Sequence, residues 1–300
     1  MSLLVVGSVA FDSVSTPCGS VEKALGGSAI YFSVAASFFT RVNLVGVVGD
    51  DFPRRHVDFL REKGINVKGL ERQSGKTFFW KGRYGEDMNT ASTLATRLNV
   101  FEKFCPVLPD EYRDSEYVFL ANIDPVLQMK VLEQVRKPSL VAADTMNLWI
   151  KIRRPALKRV IKKIDILVIN DGEAKQLAGE SNLVKAAKKI LKLGVKTLIV
   201  KRGEYGSMMF SGSSVFFAPA YPLENVVDTT GAGDTFAGGM MGFLAKTGDA
   251  SRANICRAVL AGAVMSSFDV EDFSIDGMRM LRMCEIKERL RKMKGLVDYA

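Results

Sequence analysis

The segment Asp228-Thr-Thr-Gly-Ala-Gly-Asp-Thr-Phe-Ala-Gly-Gly239 concentrates residue types that handle phosphate. Gly231, Ala232 and Gly233 carry almost no side chain, so their backbone N–H groups can converge on one point. They precede a helix expected to begin near Asp234 and to run through Phe236, Met240 and Leu244. Glycine admits the tight turn, and a helix N-terminus adds unsatisfied donors and partial positive charge. The result is an anion hole with an acid, Asp234, inside it. A simple anion would be repelled there. The carboxylate makes sense as a base taking the proton from an alcohol that attacks a bound phosphate, because phosphoryl transfer needs positioning, charge neutralisation and such a base. A lone Gly-Asp would read as a helix N-cap, but the whole twelve-residue segment favours the chemistry.

Elements of regular length must hold this segment in place. Leu3–Val6, Val42–Val48, Tyr117–Ala121, Ser139–Ala143, Ile166–Ile169 and Thr197–Lys201 are short apolar strands. Between them lie helical stretches, including Ala29–Phe39, Arg54–Lys63 and the basic Lys151–Lys163 and Lys185–Lys192. That alternation predicts an α/β fold with a mostly parallel sheet covered on both faces. Ligands then sit beyond the carboxyl ends of the strands. Polar or glycine segments do follow strands at Gly7–Asp12, Asn122–Asp124, Asp144–Asn147, Asn170–Glu173 and Arg202–Gly206.

Residues 67–101 change character. Thr77-Phe-Phe-Trp80 and Thr93–Val100 are β-prone, with Gly82 and Gly85 read as turns, so a hairpin-like lid is expected. Phe78, Phe79, Trp80 and Tyr84 could stack on a nucleobase or pack the lid's own face. Consecutive strand residues alternate faces, so they cannot all meet one ligand.

Asp228–Gly239 closely resembles the C-terminal motif of the ribokinase (PfkB) family of carbohydrate and nucleoside kinases, and the resemblance extends along the chain. Gly7-Ser-Val-Ala-Phe-Asp12 resembles the family's first strand and substrate-contacting aspartate, and Gly26-Gly27 its paired glycines. Asn170-Asp-Gly-Glu173 is similar to its Asn-x-x-Glu element, and Lys201-Arg-Gly-Glu-Tyr-Gly206 to its glycine turn beside the nucleotide.

The resemblance implies a ribokinase-like fold with residues 1–11, 26–66 and 101–300 in the α/β body. Residues 12–25 and 67–100 would form a small β lid that closes over the acceptor and excludes water. It implies ATP as donor and Asp234 as base, with the 231–233 amides on the transferred phosphoryl group. Asn170 and Glu173 would place Mg²⁺ through water. Asn170, Lys201, Gly203 and Gly206 would lie at the nucleotide, and Asp12, Gly26, Gly27 and Tyr31 at the acceptor. Asp228 and Thr230 resemble positions that help hold K⁺ in many members. Ala10 and Tyr31 stand where ribokinases often carry asparagine, so ribose loses two polar contacts and a ring enters instead. Asp144-Thr-Met-Asn147 with Trp149 resembles the Asp-x-Asn segment of some sugar-acid kinases. Sugar and nucleoside both remain open as acceptor.

Composition narrows the class further. The 300 residues are 47% hydrophobic and 25% charged, as in an ordinary globular chain. No apolar run approaches the roughly 20 residues of a membrane span, and the N-terminus reads as a strand, so a cytoplasmic protein is expected. The net charge of +9 lies largely on amphipathic helices such as Arg279–Lys294, without a nucleic-acid motif. A small-molecule sugar or nucleoside is the expected partner, with no nucleic acid, no membrane, and a homodimer through the lid as a further expectation. Cys18, Cys105, Cys256 and Cys284 form no pair and read as buried free thiols, and His56 as a surface residue after two arginines. The dehydrogenase glycine fingerprint and the P-loop motif are both absent. A ligand-binding protein without catalysis on the same fold is the remaining alternative, which the acid at position 234 disfavours.

Overall fold

A computed structural model describes residues 1–297. The chain opens with β1 (Ser2–Val6), the hairpin β2 (Ala10–Thr16) and β3 (Gly19–Gly26), α1 (Ser28–Ser37) and β4 (Arg41–Val48). Next come α2 (Arg54–Glu62), β5 (Ile65–Arg72), and a second hairpin of β6 (Phe78–Tyr84) and β7 (Ala91–Arg97). The middle holds β8 (Tyr117–Leu120), α3 (Pro125–Leu132), β9 (Leu140–Asp144), α4 (Asn147–Ile152), α5 (Arg154–Ile161), β10 (Ile166–Asn170) and α6 (Asp171–Ala178). It continues through α7 (Leu183–Leu191), β11 (Thr197–Lys201), β12 (Ser207–Ser211) and β13 (Ser214–Ala218). The last elements are α8 (Ala232–Thr247), α9 (Arg252–Asp269), α10 (Asp276–Arg279) and α11 (Met283–Val297).

Among the described residues, nine strands form one sheet in the order β13-β12-β11-β10-β9-β8-β1-β4-β5. All its neighbours are parallel except β11–β12 and β12–β13. The central strands are buried along their length because helices cover both faces, which is why they read as unbroken apolar runs. One core layer joins α1, α8 and α9 to the sheet, and the other joins α3, α5 and α7 to its opposite face.

Helix α8 is seated by the small residues of its motif. A Cβ at Gly238 or Gly242 would run into the backbone of α1 at Phe32 or Ala36, and one at Gly239 into Met265 of α9. The helix therefore lies tight between its neighbours, and its N-terminus is fixed at the carboxyl edge of the sheet.

A second sheet, in the order β3-β2-β6-β7, stands over that edge. β2 runs parallel to β6 and antiparallel to β3. Several expectations change here. β5 pairs with β4 in the large sheet, so the small sheet takes nothing from 67–72. Gly82 lies inside β6, opposite Thr93, and is no turn. The second lid strand ends at Arg97 and is followed by a 3-10 turn over Asn99–Lys103.

His56 is buried, with its ring 6.2 Å from Phe11 and 5.4 Å from Phe52, and burial lowers its pKa to about 4. Two adjacent arginines suggested solvent; aromatics from β2 and the β4–α2 loop cover it instead. Cys18, Cys105 and Cys284 are exposed, Cys256 is partly so, and all are free, because the loops and helix faces carrying them are not packed over. Among the described residues, no helix is long and apolar enough to cross a membrane.

Candidate active site

The N-cap of α8 is Gly231, at φ 83°, a left-handed conformation that favours glycine. Asp234 is thus the third helical residue and does not serve as the cap. The Tyr31 ring lies where a Cβ on Gly231 would stand, so Tyr31 is the floor under the anion hole. It is 2% exposed and presents no open face to a ligand. Its hydroxyl makes no well-formed hydrogen bond, and burial and the charges of Asp12, Asp269 and Asp228 push its pKa well up.

Lys201, the last residue of β11, brings its ammonium to Gly233, so close that a Cβ there would collide with it. The same ammonium is 3.7 Å from Asp144 Oδ2 at the end of β9. Burial raises Asp234 to about 6, and Lys201 holds it down from higher values. Glu173 is raised by burial and lowered by Lys201, and Asp144 goes well up for the same first reason. Three acids therefore share one lysine, and Asp144 Oδ1 is buried without a partner. The ends of β8 and β9 are tied by the buried Gln128, whose Nε2 reaches the carbonyls of Leu120, Ala121 and Asp144 at 3.2, 3.0 and 3.0 Å.

Asn170 and Glu173 form a capping box at the start of α6. Glu173 N–H donates to Asn170 Oδ1 and Asn170 N–H to Glu173 Oε2, both at 2.8 Å. This aims the Glu173 carboxylate at the Lys201 cluster. Among the described residues, no three acidic, imidazole or thiol groups converge closely enough to hold a metal alone. The donor set still fits Mg²⁺, which keeps several waters and needs one or two carboxylates beside phosphate oxygens.

Asp12 lies at the opening of β2, and Gly27 N–H donates to its Oδ2 at 3.3 Å. A Cβ on Gly26 would collide with that carboxylate. Gly27, at φ 94°, caps α1 with the left-handed bend that turns the chain past Ser8. Burial, with Asp228 and Asp234 nearby, lifts Asp12 to about 7. Asp228 accepts from Thr230 N–H (2.9 Å) and Ser274 N–H (3.3 Å), binding the loop before α8 to the one after α9. Asp269, at the end of α9, is 1% exposed and neither of its oxygens has a partner.

The small sheet touches this cluster at its far tip. Thr230 Oγ1 donates to Tyr84 Oη (3.3 Å), and Thr229 Oγ1 to the Met88 carbonyl (2.6 Å). Asn89 Oδ1 covers Gly203 in the turn after β11, which Gly206 closes through its carbonyl's bond from Arg202 N–H (2.8 Å). Asp12, Asp234, the 231–233 turn, Asp228, Thr230, Lys201 and Glu173 thus form one site. Tyr84 of the aromatic lid and Asp144 of the Asp-x-Asn-like segment join it, and Asp269 and Gln128 border it with no motif pointing to them. The aromatic lid and the strand-end Asp144 were visible, but Asp269 and Gln128 left no signal beyond a polar residue in an apolar helix.

The pfkB family carbohydrate kinase model matches residues 2–273. The chain is 30% identical over 249 residues to a cytidine kinase of Thermococcus kodakarensis, covering 80% of this chain and 87% of that one. It is 28% identical to a 2-dehydro-3-deoxygluconokinase of Thermoproteus tenax, covering 81% and 80%. The crystal structure of the Methanocaldococcus jannaschii nucleoside kinase superposes with a TM-score of 0.77 at 21% identity, over 97% of this chain and 98% of that one. The chain belongs to the pfkB family of carbohydrate kinases.

Proposed function

We propose that the chain transfers the γ-phosphoryl group of ATP to an alcohol of a sugar or nucleoside, with Asp234 as the base. The observation that carries this reading is a carboxylate in the first turn of α8, free of any capping role, beside the 231–233 N–H groups. Asp12, Gly26 and Gly27 hold the acceptor. Asp234 takes the hydroxyl proton as that oxygen bonds to the γ-phosphorus; the bond to the β–γ bridging oxygen breaks and ADP leaves. Charge on the transferred group meets the 231–233 amides and the Lys201 ammonium. The turn from Lys201 through Gly203 to Gly206 lies along the nucleotide.

Glu173, with Asn170 behind it and Asp144 opposite, would hold Mg²⁺ largely through water. When bound, Mg²⁺ offsets charge on the phosphates. Asp228 and Thr230 would contact K⁺, a reading supported by the unpartnered Asp269 carboxylate near Asp228. Two relatives whose names give different acceptors leave the acceptor between nucleoside and sugar.

The test is ADP release with Mg-ATP and a panel of sugars, sugar acids and nucleosides. ADP is expected only with an acceptor present. Failure of every acceptor, alongside intact ATP binding, would favour a non-catalytic ligand-binding protein.

A further inference from the structure

Three aromatics stand in a row at the start of β6, and the structure gives each a different surrounding. Phe78 stacks on Phe101 (5.4 Å between ring centres, 17° between planes), which stacks in turn on Phe104. Phe79 packs against the core and lies under the Arg97 guanidinium at 5.9 Å. Trp80 belongs to neither core cluster, and among the described residues no ring or cation stacks on it.

Its indole is nevertheless held in place. Gly82, two residues on and so on the same face of the strand, has no side chain, and any Cβ there would strike the indole ring. Trp80 Nε1 donates to Thr93 Oγ1 at 3.3 Å from the neighbouring strand. The ring therefore lies along the sheet as a half-exposed flat surface, partly immobilised before any ligand arrives.

The register puts that surface on the acceptor's side. Asp12 of β2 is paired directly with Trp80 of β6, so the two side chains leave the same face of the small sheet. They lean in opposite directions. The Asp12 carboxylate covers Gly26, in the row of Ala10, while the indole covers Gly82, in the row of Val14. Four strand residues separate those rows, roughly 13 Å at the rise of a β-strand. Because Asp12 and Trp80 are paired across the strands, a single furanose or pyranose ring touching Asp12 meets the near edge of the indole and leaves uncovered the outer ring over Gly82. A sugar carrying a planar base spans the gap.

We propose that Trp80 is the base platform of this site: the acceptor is a nucleoside whose ribose hydroxyls meet Asp12 while its base stacks on the indole. This rests on the kinase reading above, and it identifies the substrate class and the residue that selects it. Tyr84, on the same face and tied to Thr230, keeps the platform at a fixed distance from the anion hole.

The experiment separates binding from turnover. Tryptophan emission of the parent protein is titrated without ATP, using cytidine, inosine and D-ribose as probes. At least one nucleoside is expected to quench it saturably while D-ribose does not, and the quench should vanish in Trp80→Leu. In turnover assays Trp80→Leu should raise the nucleoside KM by roughly 10- to 100-fold, the range that loss of one aromatic–base stack covers. The KM for ATP should stay put, and Trp80→Phe should keep most of the nucleoside affinity. A free sugar phosphorylated with a kcat/KM equal to that of the best nucleoside would overturn the proposal, as would a nucleoside KM unmoved by Trp80→Leu. Nucleoside quenching lost in Trp80→Leu, without ADP formation from any acceptor, would uphold the platform and sink the kinase reading instead.

Discussion

The first turn of α8 and the small sheet come together through Thr229 and Thr230, yet they are held by different forces. The turn is locked by packing: glycines seat α8 against α1 and α9, Tyr31 fills the space under Gly231, and Asp228 binds two loops together. Acids and one lysine crowd its open side, so its charges are strongly perturbed. In the small sheet β2 is buried, but the β6–β7 hairpin is half-exposed to exposed, and its tip is tied down by the hydrogen bonds of Tyr84 and Met88. On the proposed function, the turn fixes charge before reaction, and the sheet recognises a ligand and lets it leave. Substitutions in the turn should strike the chemical step, while those in the sheet should act on binding.

The largest effect is expected at Asp234. Asp234→Asn keeps the shape of the turn and removes the base, so kcat should fall by roughly 10²- to 10⁴-fold. The affinity for ATP, measured by equilibrium binding, should be nearly unchanged. An equal loss of ATP binding would place the carboxylate in nucleotide recognition. Tyr84→Phe should cost far less, because it removes one hydrogen bond from a lid that remains in place. The acceptor KM should rise about 2- to 10-fold, with kcat little altered, and acceptor-independent ADP release should increase. A fall in kcat alone would show that lid and turn are not separable in this way.

Asp269 gives the smallest effect and the opposite sign. A buried carboxyl whose folded-state pKa lies above its unfolded value holds its proton longer in the fold, so it costs stability as pH rises above about 4. Asp269→Asn should raise the Tm of the ligand-free protein by about 2 °C or more at pH 8, and by less at pH 5. A lower Tm at both pH values would mean that the carboxylate has a stabilising partner.

The same contrast decides what the sequence discloses. The turn of α8 is contiguous, and its glycines are demanded by local geometry, so Asp228–Gly239 reads directly as an anion hole with a base. The apolar strands are legible because burial on both faces leaves unbroken hydrophobic runs. The capping box at Asn170 and Glu173 is local too. The small sheet depends on distant partners: Met88 meets Thr229 across 141 residues, and Asp12 meets Trp80 through strand register. Gly82 reads as a turn because glycine usually interrupts a strand; here an indole two residues earlier occupies the space of its side chain. Asp269 and Gln128 are polar residues on otherwise apolar helices, and only the fold says what they face. His56 follows two arginines in the sequence, yet the rings that cover it come from other elements.

In the proposed reaction Asp234 must be ionised to accept the acceptor's proton, and Lys201 helps keep it so. The pH dependence of kcat/KM for the acceptor, in the parent and in Lys201→Met, tests both halves. With Asp234 at about 6 and Asp12 at about 7 in the free protein, parent activity should decline as pH falls through that window. Loss of the ammonium that holds Asp234 down should move its part of the decline to higher pH. A parent profile that stays flat to pH 5 would rule out Asp234 as the base, and an acid limb that Lys201→Met leaves in place would rule out Lys201 as the group that keeps it ionised.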